Sequence, residues 1–331
     1  MAYILAQISP QRSTQYSKIA NRLAPAEISL SPPGQYIASI EQIKLGRTDY
    51  LKIDIGDHNI DENDLYEFGN MAMLFSFFRY YPEIGKSEGP FLKPLDTLTE
   101  YYLPHDLVMT RRYRGKTNEM FTRFLCNIAR YSSSYNNLPW KETRVFDPLA
   151  GGGTTLFTAL CLGADTAGVE KRSKDVLSTV TFLKQYLNEK EIQYRLKEER
   201  LKKSVKRYCF SIGKNRKKLL LSKGDTVNSQ ELIKGLKKPH FIVADLPYGI
   251  QHGGEITDLV AESLTEWSSM ILPGGTITMS WDSTRFSRKE MIKLVGDNAP
   301  VTVLEGETYD EMAHRVDRVI KKRDIIVARA D

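Results

Sequence analysis

The chain has 331 residues, 41% of them apolar, and a formal charge of +6, enough for one large domain or two modest ones around a sizeable core. No run approaches the ~18 consecutive apolar residues of a membrane span. The longest candidate, Met71 to Phe78, reads as a core helix, and Met1 to Ser9 lacks the basic start and apolar stretch of a secretory signal. Cys126, Cys161 and Cys209 are far apart and form no C-x-x-C pair, which argues against a disulfide framework or a zinc site and suits a reducing cytoplasm.

Residues 1–100 read as a separate α+β unit. Tyr36 to Ile43 and Tyr50 to Ile55 alternate as strands do, split by the turn-prone Gly46-Arg47-Thr48. The acidic stretch from Asp57 to Glu67 leads into an amphipathic helix expected to run through Tyr80. Pro82, Gly85, Gly89, Pro90 and Pro94 then suggest a linker. From Glu119 the pattern changes. Phe121, Phe124, Leu125, Ile128 and Ala129 recur at helical spacing. Strands are expected at Arg144 to Phe146, Thr166 to Glu170, Leu219 to Ser222, His240 to Ala244 and Thr276 to Ser280. Helices are expected at Thr154 to Leu162 and Ser173 to Leu187. Strands alternating with helices imply a mostly parallel sheet covered on both faces. The closing pair, Val301 to Leu304 and Asp324 to Ala328, has no long crossover between its members and reads as antiparallel.

Four acidic residues end or follow four of these strands. Asp147 opens Asp147-Pro148-Leu149-Ala150-Gly151-Gly152-Gly153-Thr154-Thr155, a glycine turn between a strand and a helix. Glycines there let the backbone approach a ligand, and the helix start presents free N–H groups. Glu170, with Lys171 after it, ends the next strand, where a carboxylate can accept ribose hydroxyls. A dinucleotide fingerprint is excluded, because Leu156 stands where its third glycine belongs. Asp225-Thr226 follows the third strand. At the end of the fourth strand stands Asp245-Leu246-Pro247-Tyr248-Gly249. An exocyclic base amine is a poor nucleophile, because its lone pair is delocalised into the ring. A side-chain carboxylate (Asp245) and a backbone carbonyl (Leu246) that accept its two N–H bonds favour a pyramidal nitrogen and free the lone pair. Pro247 aims that carbonyl, and the Tyr248 ring can stack on the base.

These motifs resemble the class I S-adenosylmethionine-dependent methyltransferases. Asp147, Gly151, Gly153 and Glu170 match their cofactor motifs, and Asp245 to Gly249 resembles the Asp-Pro-Pro-Tyr segment of the amino methyltransferases, with Leu246 in place of the first proline. The resemblance implies a Rossmann-like fold: a seven-stranded, mostly parallel sheet with a C-terminal antiparallel strand, spanning residues 101–331. It implies S-adenosyl-L-methionine as cofactor, with Ala150, Thr154, Thr155, Lys171 and Thr226 among the contacts, and Asp225 stands at a place where the family has an acid facing the amino group of the adenine. Arg111 to Glu119 holds a Gly-Lys-Thr run, but Thr110 stands where a phosphate loop needs its glycine. In the tRNA guanine-N2 methyltransferases a motif in this place touches the methionine end of the cofactor, which implies Lys116, Thr117 and Asn118; the competing reading is a helix cap by Thr117. Residues 105–331 resemble that group most, so guanine N2 in tRNA or rRNA is the leading substrate, with residues 1–100 assigned a part in substrate recognition.

Charge supplies the link to a polyanion. Lys184 to Lys218 holds 13 Lys and Arg against 4 Asp and Glu, leaving −3 on the rest of the chain. Leu183 to Lys203 is expected to be helical, with a basic patch at Arg216, Lys217 and Lys218; the alternative is a solvated surface with no partner. Other readings are a DNA adenine-N6 or cytosine-N4 methyltransferase, a small-molecule methyltransferase, and a non-enzymatic RNA-binding protein. The intact Asp147, Glu170 and Asp245 speak against the last. No metal and no membrane partner are expected.

Overall fold

In the computed structural model the described residues are 2–202, 205–247, 253–316 and 321–331. They form two compact units, 1–100 with 305–323 and 101–304 with 324–331. Residues 305–323, kept with the C-terminal domain in the sequence reading, therefore cluster with the first unit.

The first unit is built in the order β1 (Tyr3–Ile8), α1 (Thr14–Leu30), β2 (Ser39–Leu45), β3 (Thr48–Asp54), α2 (Glu62–Gly69), β4 (Leu74–Ile84) and β5 (Ser87–Pro94). The sheet order is β2-β3-β1-β4-β5, and every pair is antiparallel. Two expectations fail here. Residues 74–84 are a strand rather than the continuation of a helix, because they pair with β1 and β5 on both sides; α2 ends at Gly69, with Asn70 as its C-cap. The proline and glycine cluster after it is the β4–β5 hairpin rather than a linker: Gly85 takes the left-handed conformation of its turn at φ +62°. The start of α2 is fixed by a capping box, in which Asp61 accepts from the Asp64 N–H at 2.9 Å and Asp64 accepts from the Asp61 N–H at 3.0 Å. The helices cover one sheet face. The Phe68 ring of α2 stacks on Phe77 of β4 at 4.4 Å, and Ile28 of α1 lines a small cavity with Ile4 and Ile53.

The second unit begins with α3 (Asp106–Thr110) and α4 (Glu119–Tyr131), followed by β6 (Arg144–Asp147), α5 (Thr154–Cys161), β7 (Asp165–Glu170) and α6 (Ser173–Glu189). Then come β8 (Tyr194–Lys202), β9 (Val205–Ile212), β10 (Lys217–Lys223), α7 (Ser229–Leu232), β11 (Phe241–Asp245), α8 (Gly253–Met270), β12 (Thr276–Asp282), α9 (Arg288–Asn298), β13 (Val301–Val303) and β14 (Arg323–Ala330). The sheet order is β13-β14-β12-β11-β6-β7-β10-β9-β8. The pairs β12–β11, β11–β6, β6–β7 and β7–β10 are parallel, and β13–β14 is antiparallel. The seven strands from β13 to β10 form a mostly parallel, Rossmann-like sheet with an antiparallel closing pair. Its short central strands are buried on both faces, so side chains alternate between two cores: Leu219 and Leu221 pack with α5 and α6 residues such as Phe157 and Leu183, while Leu220 joins Ile242, Leu264 and Trp267.

The sheet is wider than seven strands because β8 and β9 add an antiparallel hairpin to the β10 edge. Of the helix expected over residues 183–203, α6 supplies the part up to Glu189, and the part from Tyr194 to Lys202 is corrected to strand. Beyond Glu189, Tyr194 and Leu196 alternate with Arg195 and Lys197, and that period of two places the apolar pair over the Phe210 core while the cations stay exposed.

Candidate active site

Strand order reverses between β11 and β6, and the carboxyl ends of strands at such a switch point form a crevice. The register brings the acidic residues to these ends. Asp147 of β6 lies opposite Gly168 of β7, two residues before Glu170, and Asp245 of β11 lies opposite Ser280 of β12.

Asp147 is buried. It accepts from the Leu149 N–H at 3.0 Å and from the Thr155 hydroxyl. Burial pushes its carboxyl up to about 7, and the charges of Asp245 and Glu170 push in the same direction. The glycine turn after it needs left-handed backbone at Gly151 (φ +49°) and Gly153 (φ +87°). Ala150 anchors the turn to β7 through its N–H on the Val169 carbonyl at 2.9 Å. Glu170 then braces the turn: its Oε2 accepts from the Gly151 N–H at 3.0 Å and its Oε1 from the Arg172 N–H at 2.7 Å. The next position, Lys171, pairs with Asp225 at 2.8 Å, which holds that carboxyl below its usual range.

Asp245 is gripped at both oxygens. The Ser280 hydroxyl donates to Oδ1 and the Thr117 hydroxyl to Oδ2. The Leu246 N–H donates to the Ser280 carbonyl at 2.9 Å, so the backbone leaving β11 is tied to the same residue. Leu246 is buried and Pro247 exposed. Tyr248 and Gly249 lie outside the described residues.

Three further candidates, Asn118, Lys116 and Thr226, have side-chain partners within the chain. Asn118, not Thr117, caps α4, its Oδ1 accepting from the Phe121 N–H at 3.1 Å. Thr117, one residue earlier, is freed to turn to Asp245. Lys116 donates to the Val108 carbonyl at 2.7 Å and pairs with Glu119. Thr226 is buried, its hydroxyl accepting from the Trp267 indole N–H at 3.0 Å.

Two residues on no candidate list join the site. The Tyr113 ring lies on Gly152, where an added Cβ would fall 2.3 Å from it, and its hydroxyl meets that of Thr154 at 2.5 Å. Arg111 is 7% exposed, with its guanidinium between the Tyr113 and Phe182 rings at 5.5 and 5.0 Å. It donates to the Gly152 carbonyl at 3.4 Å and to the Ser178 and Thr179 hydroxyls at 3.1 and 3.3 Å. Among the described residues no carboxylate pairs with it. The run Arg111-Arg112-Tyr113-Arg114 was the only signal, and it does not say which cation turns inward.

The basic patch lies at the far end of the sheet. Lys217 and Lys218 begin β10, beside Asp165 at the start of β7, whereas Glu170 pairs with Lys223 at the other end. Six residues of strand put about 20 Å between them. Arg216 is exposed in the β9–β10 turn, and Lys217 donates to the Lys141 carbonyl. The cations at the site end are those flanking the β8–β9 turn: Arg200 and Lys206 are cross-strand partners and both exposed.

Among the described residues no His, Cys, Asp and Glu group could hold a metal ion, and no helix is long and apolar enough to cross a membrane.

No family model matches the chain, and no curated protein matches it. Solved structures do. TrmN from Thermus thermophilus is 12% identical over 100% of both chains, with a TM-score of 0.48. Magnesium protoporphyrin IX methyltransferase (ChlM) from Synechocystis PCC 6803, crystallised with bound SAM, is 12% identical over 66% of this chain and 87% of its own, at 0.41. Precorrin-6y C5,15-methyltransferase from Geobacter metallireducens GS-15 is 12% identical over 57% of this chain and 80% of its own, at 0.34.

Proposed function

We propose that the chain is an S-adenosylmethionine-dependent methyltransferase acting on an exocyclic amino group of a nucleobase, with guanine N2 in tRNA or rRNA the leading substrate and the cytoplasm its place of action. The observation that carries this reading is the convergence of Asp147, the glycine turn, Glu170 and a doubly held Asp245 at one switch point of the sheet. The residues fit the cofactor. Glu170, beside the turn, accepts ribose hydroxyls. Arg111, a buried guanidinium lacking a carboxylate partner among the described residues, suits the carboxylate of the methionine end. The bound cofactor supplies an electrophilic methyl group.

The rest is the work of the chain. Two hydroxyl donors fix the rotamer of Asp245. A carboxylate oxygen accepts more than one hydrogen bond, so Asp245 can take one N–H of the amine while Thr117 and Ser280 hold it. The Leu246 carbonyl takes the other. The amine proton is shed after transfer, so no strong base has to act first. Arg200 and Lys206 offer phosphate contacts at the site end of the sheet.

The test is direct. The protein is incubated with labelled cofactor and separate pools of unmodified tRNA, rRNA and DNA, and the labelled pool is digested to nucleosides. N2-methylguanosine from an RNA pool is expected. Label on no nucleic acid, with cofactor bound, would remove the substrate assignment.

A further inference from the structure

The first unit leaves one sheet face without helices. Its chain order, strand-helix-strand-strand-helix-strand-strand, puts β1 at the centre of the sheet, between β3 and β4. The helices cover the face of Ile4, Ile53 and Phe77. By alternation the other face carries Tyr3 and Leu5 from β1, Tyr50 and Lys52 from β3, and Phe78 and Tyr80 from β4. Leu5 is fully buried beneath its neighbours, and the four aromatic rings and Lys52 are partly exposed.

The residues on this face are coordinated with one another. Tyr3 and Tyr80 are cross-strand partners with ring centroids 6.3 Å apart, edge to face. The Lys52 ammonium lies 4.7 Å from the Tyr3 ring centre and 5.2 Å from that of Tyr80. Its cross-strand neighbour on β2 is Glu41, yet Lys52 forms no ion pair among the described residues. Phe78 stands two residues from Tyr80, a step of about 7 Å along the strand. Tyr50 lies farther along, opposite Gln7.

We propose that this face binds an unpaired segment of RNA, with bases stacking on Tyr3, Tyr50, Phe78 and Tyr80 and Lys52 meeting a phosphate. Rings on an open sheet are a sequence-tolerant platform for unstacked bases, whereas a base pair inside a duplex offers no free face. Charge sharpens the expectation. Residues 1–100 hold nine Lys and Arg against thirteen Asp and Glu. Five of those acids fall between Asp57 and Glu67, on and before α2, which packs on the opposite face. Binding here is therefore driven by stacking with little electrostatic help, and one phosphate contact gives a log–log salt slope of about −0.7. The choice of RNA rests on the proposed substrate, but binding at this face requires neither cofactor nor methyl transfer, so the two assignments fail separately.

The test uses the full chain and a fluorescently labelled, mixed-sequence 12-nucleotide RNA, single-stranded or annealed to its complement. Anisotropy should show binding to the single strand and little to the duplex. Tyr50→Leu and Tyr80→Leu should each weaken it by about 5- to 100-fold, while Tyr50→Phe and Tyr80→Phe, which keep the ring, should bind as the parent does. Ultraviolet crosslinking of the unaltered chain gives a second readout that needs no variant, with crosslinked peptides expected from 3–8, 48–54 and 74–84. Equal affinity for duplex, Leu variants that fold and bind normally, or crosslinks confined to 194–223 would each overturn the proposal.

Discussion

Replacing Asp147 by Asn tests the environment of the site without any ligand. The carboxyl is buried beside two other acids and is pushed from an ordinary value of 3.8 up to about 7. Below pH 3.8 the group is protonated in the folded and unfolded chains alike, and its ionisation has no effect on stability. Between 3.8 and 7 the unfolded chain ionises while the folded one holds its proton, so stability falls as pH rises, levelling off above 7. At about 1.4 kcal/mol per pH unit the loss reaches about 4 kcal/mol. Asparagine keeps an oxygen to accept from the Leu149 N–H, found at 3.0 Å in the parent, and does not titrate. Asp147→Asn should therefore gain stability over the parent progressively from pH 4 to 8, with no gain from this source at pH 3. Urea unfolding followed by circular dichroism across that range measures it. A stability difference that stays constant with pH would refute the reasoning, because burial would then not be acting on this charge.

Four further outcomes follow from the same geometry. Glu170→Ala removes both the ribose acceptor and the brace on Gly151, and should weaken cofactor binding in calorimetry by at least the 1.5–3 kcal/mol of charged hydrogen bonds, roughly 10- to 150-fold; unchanged affinity in a folded variant would sink the assignment. Arg111→Met should weaken the same affinity to a similar degree, and a normal titration would return Arg111 to a packing role. Asp245→Ala should bind cofactor normally and lose about 10²–10³ in single-turnover rate, by analogy with lost oxyanion donors. Reversing Arg200 and Lys206 to glutamate should flatten the salt dependence of RNA binding more than reversing Lys214, Arg216 and Lys218 does, since only the first pair lies at the site end; the opposite ranking would place the RNA elsewhere.

The parallel sheet was legible because its strands are short apolar runs bounded by glycine turns, and because Asp147, Glu170 and Asp245 each close such a run. Tertiary pairing hid the rest. Phe75-Ser76-Phe77-Phe78 reads equally as helix or strand, and only pairing with β1 and β5 decides it. The β8–β9 hairpin was masked by charge, since a strand with exposed Lys and Arg on one face resembles a basic helix over a short window. Helix α1 carries Pro25 in its interior, which hides it from a reading by helix propensity. Thr117 and Asn118 illustrate the finest limit: either side chain can cap, and the one that does decides which is left for Asp245.

The division of the chain bears on how it is made. The first unit takes residues 305–323 from near the C-terminal end, including the short helix Glu307–Asp310 that packs on α1. Directly after them comes β14, which sits inside the second sheet between β13 and β12. Neither unit is therefore complete until residues 305–330 have left the ribosome. A nascent chain stopped at residue 304 would leave β12 and β13 without the strand that belongs between them, and α1 without its cover. Such a chain exposes unpaired strand edges and apolar surface for as long as synthesis lasts. Folding that is ordinarily finished domain by domain from the N-terminus is here deferred, for both units, until the same stretch, residues 305–330, has been made.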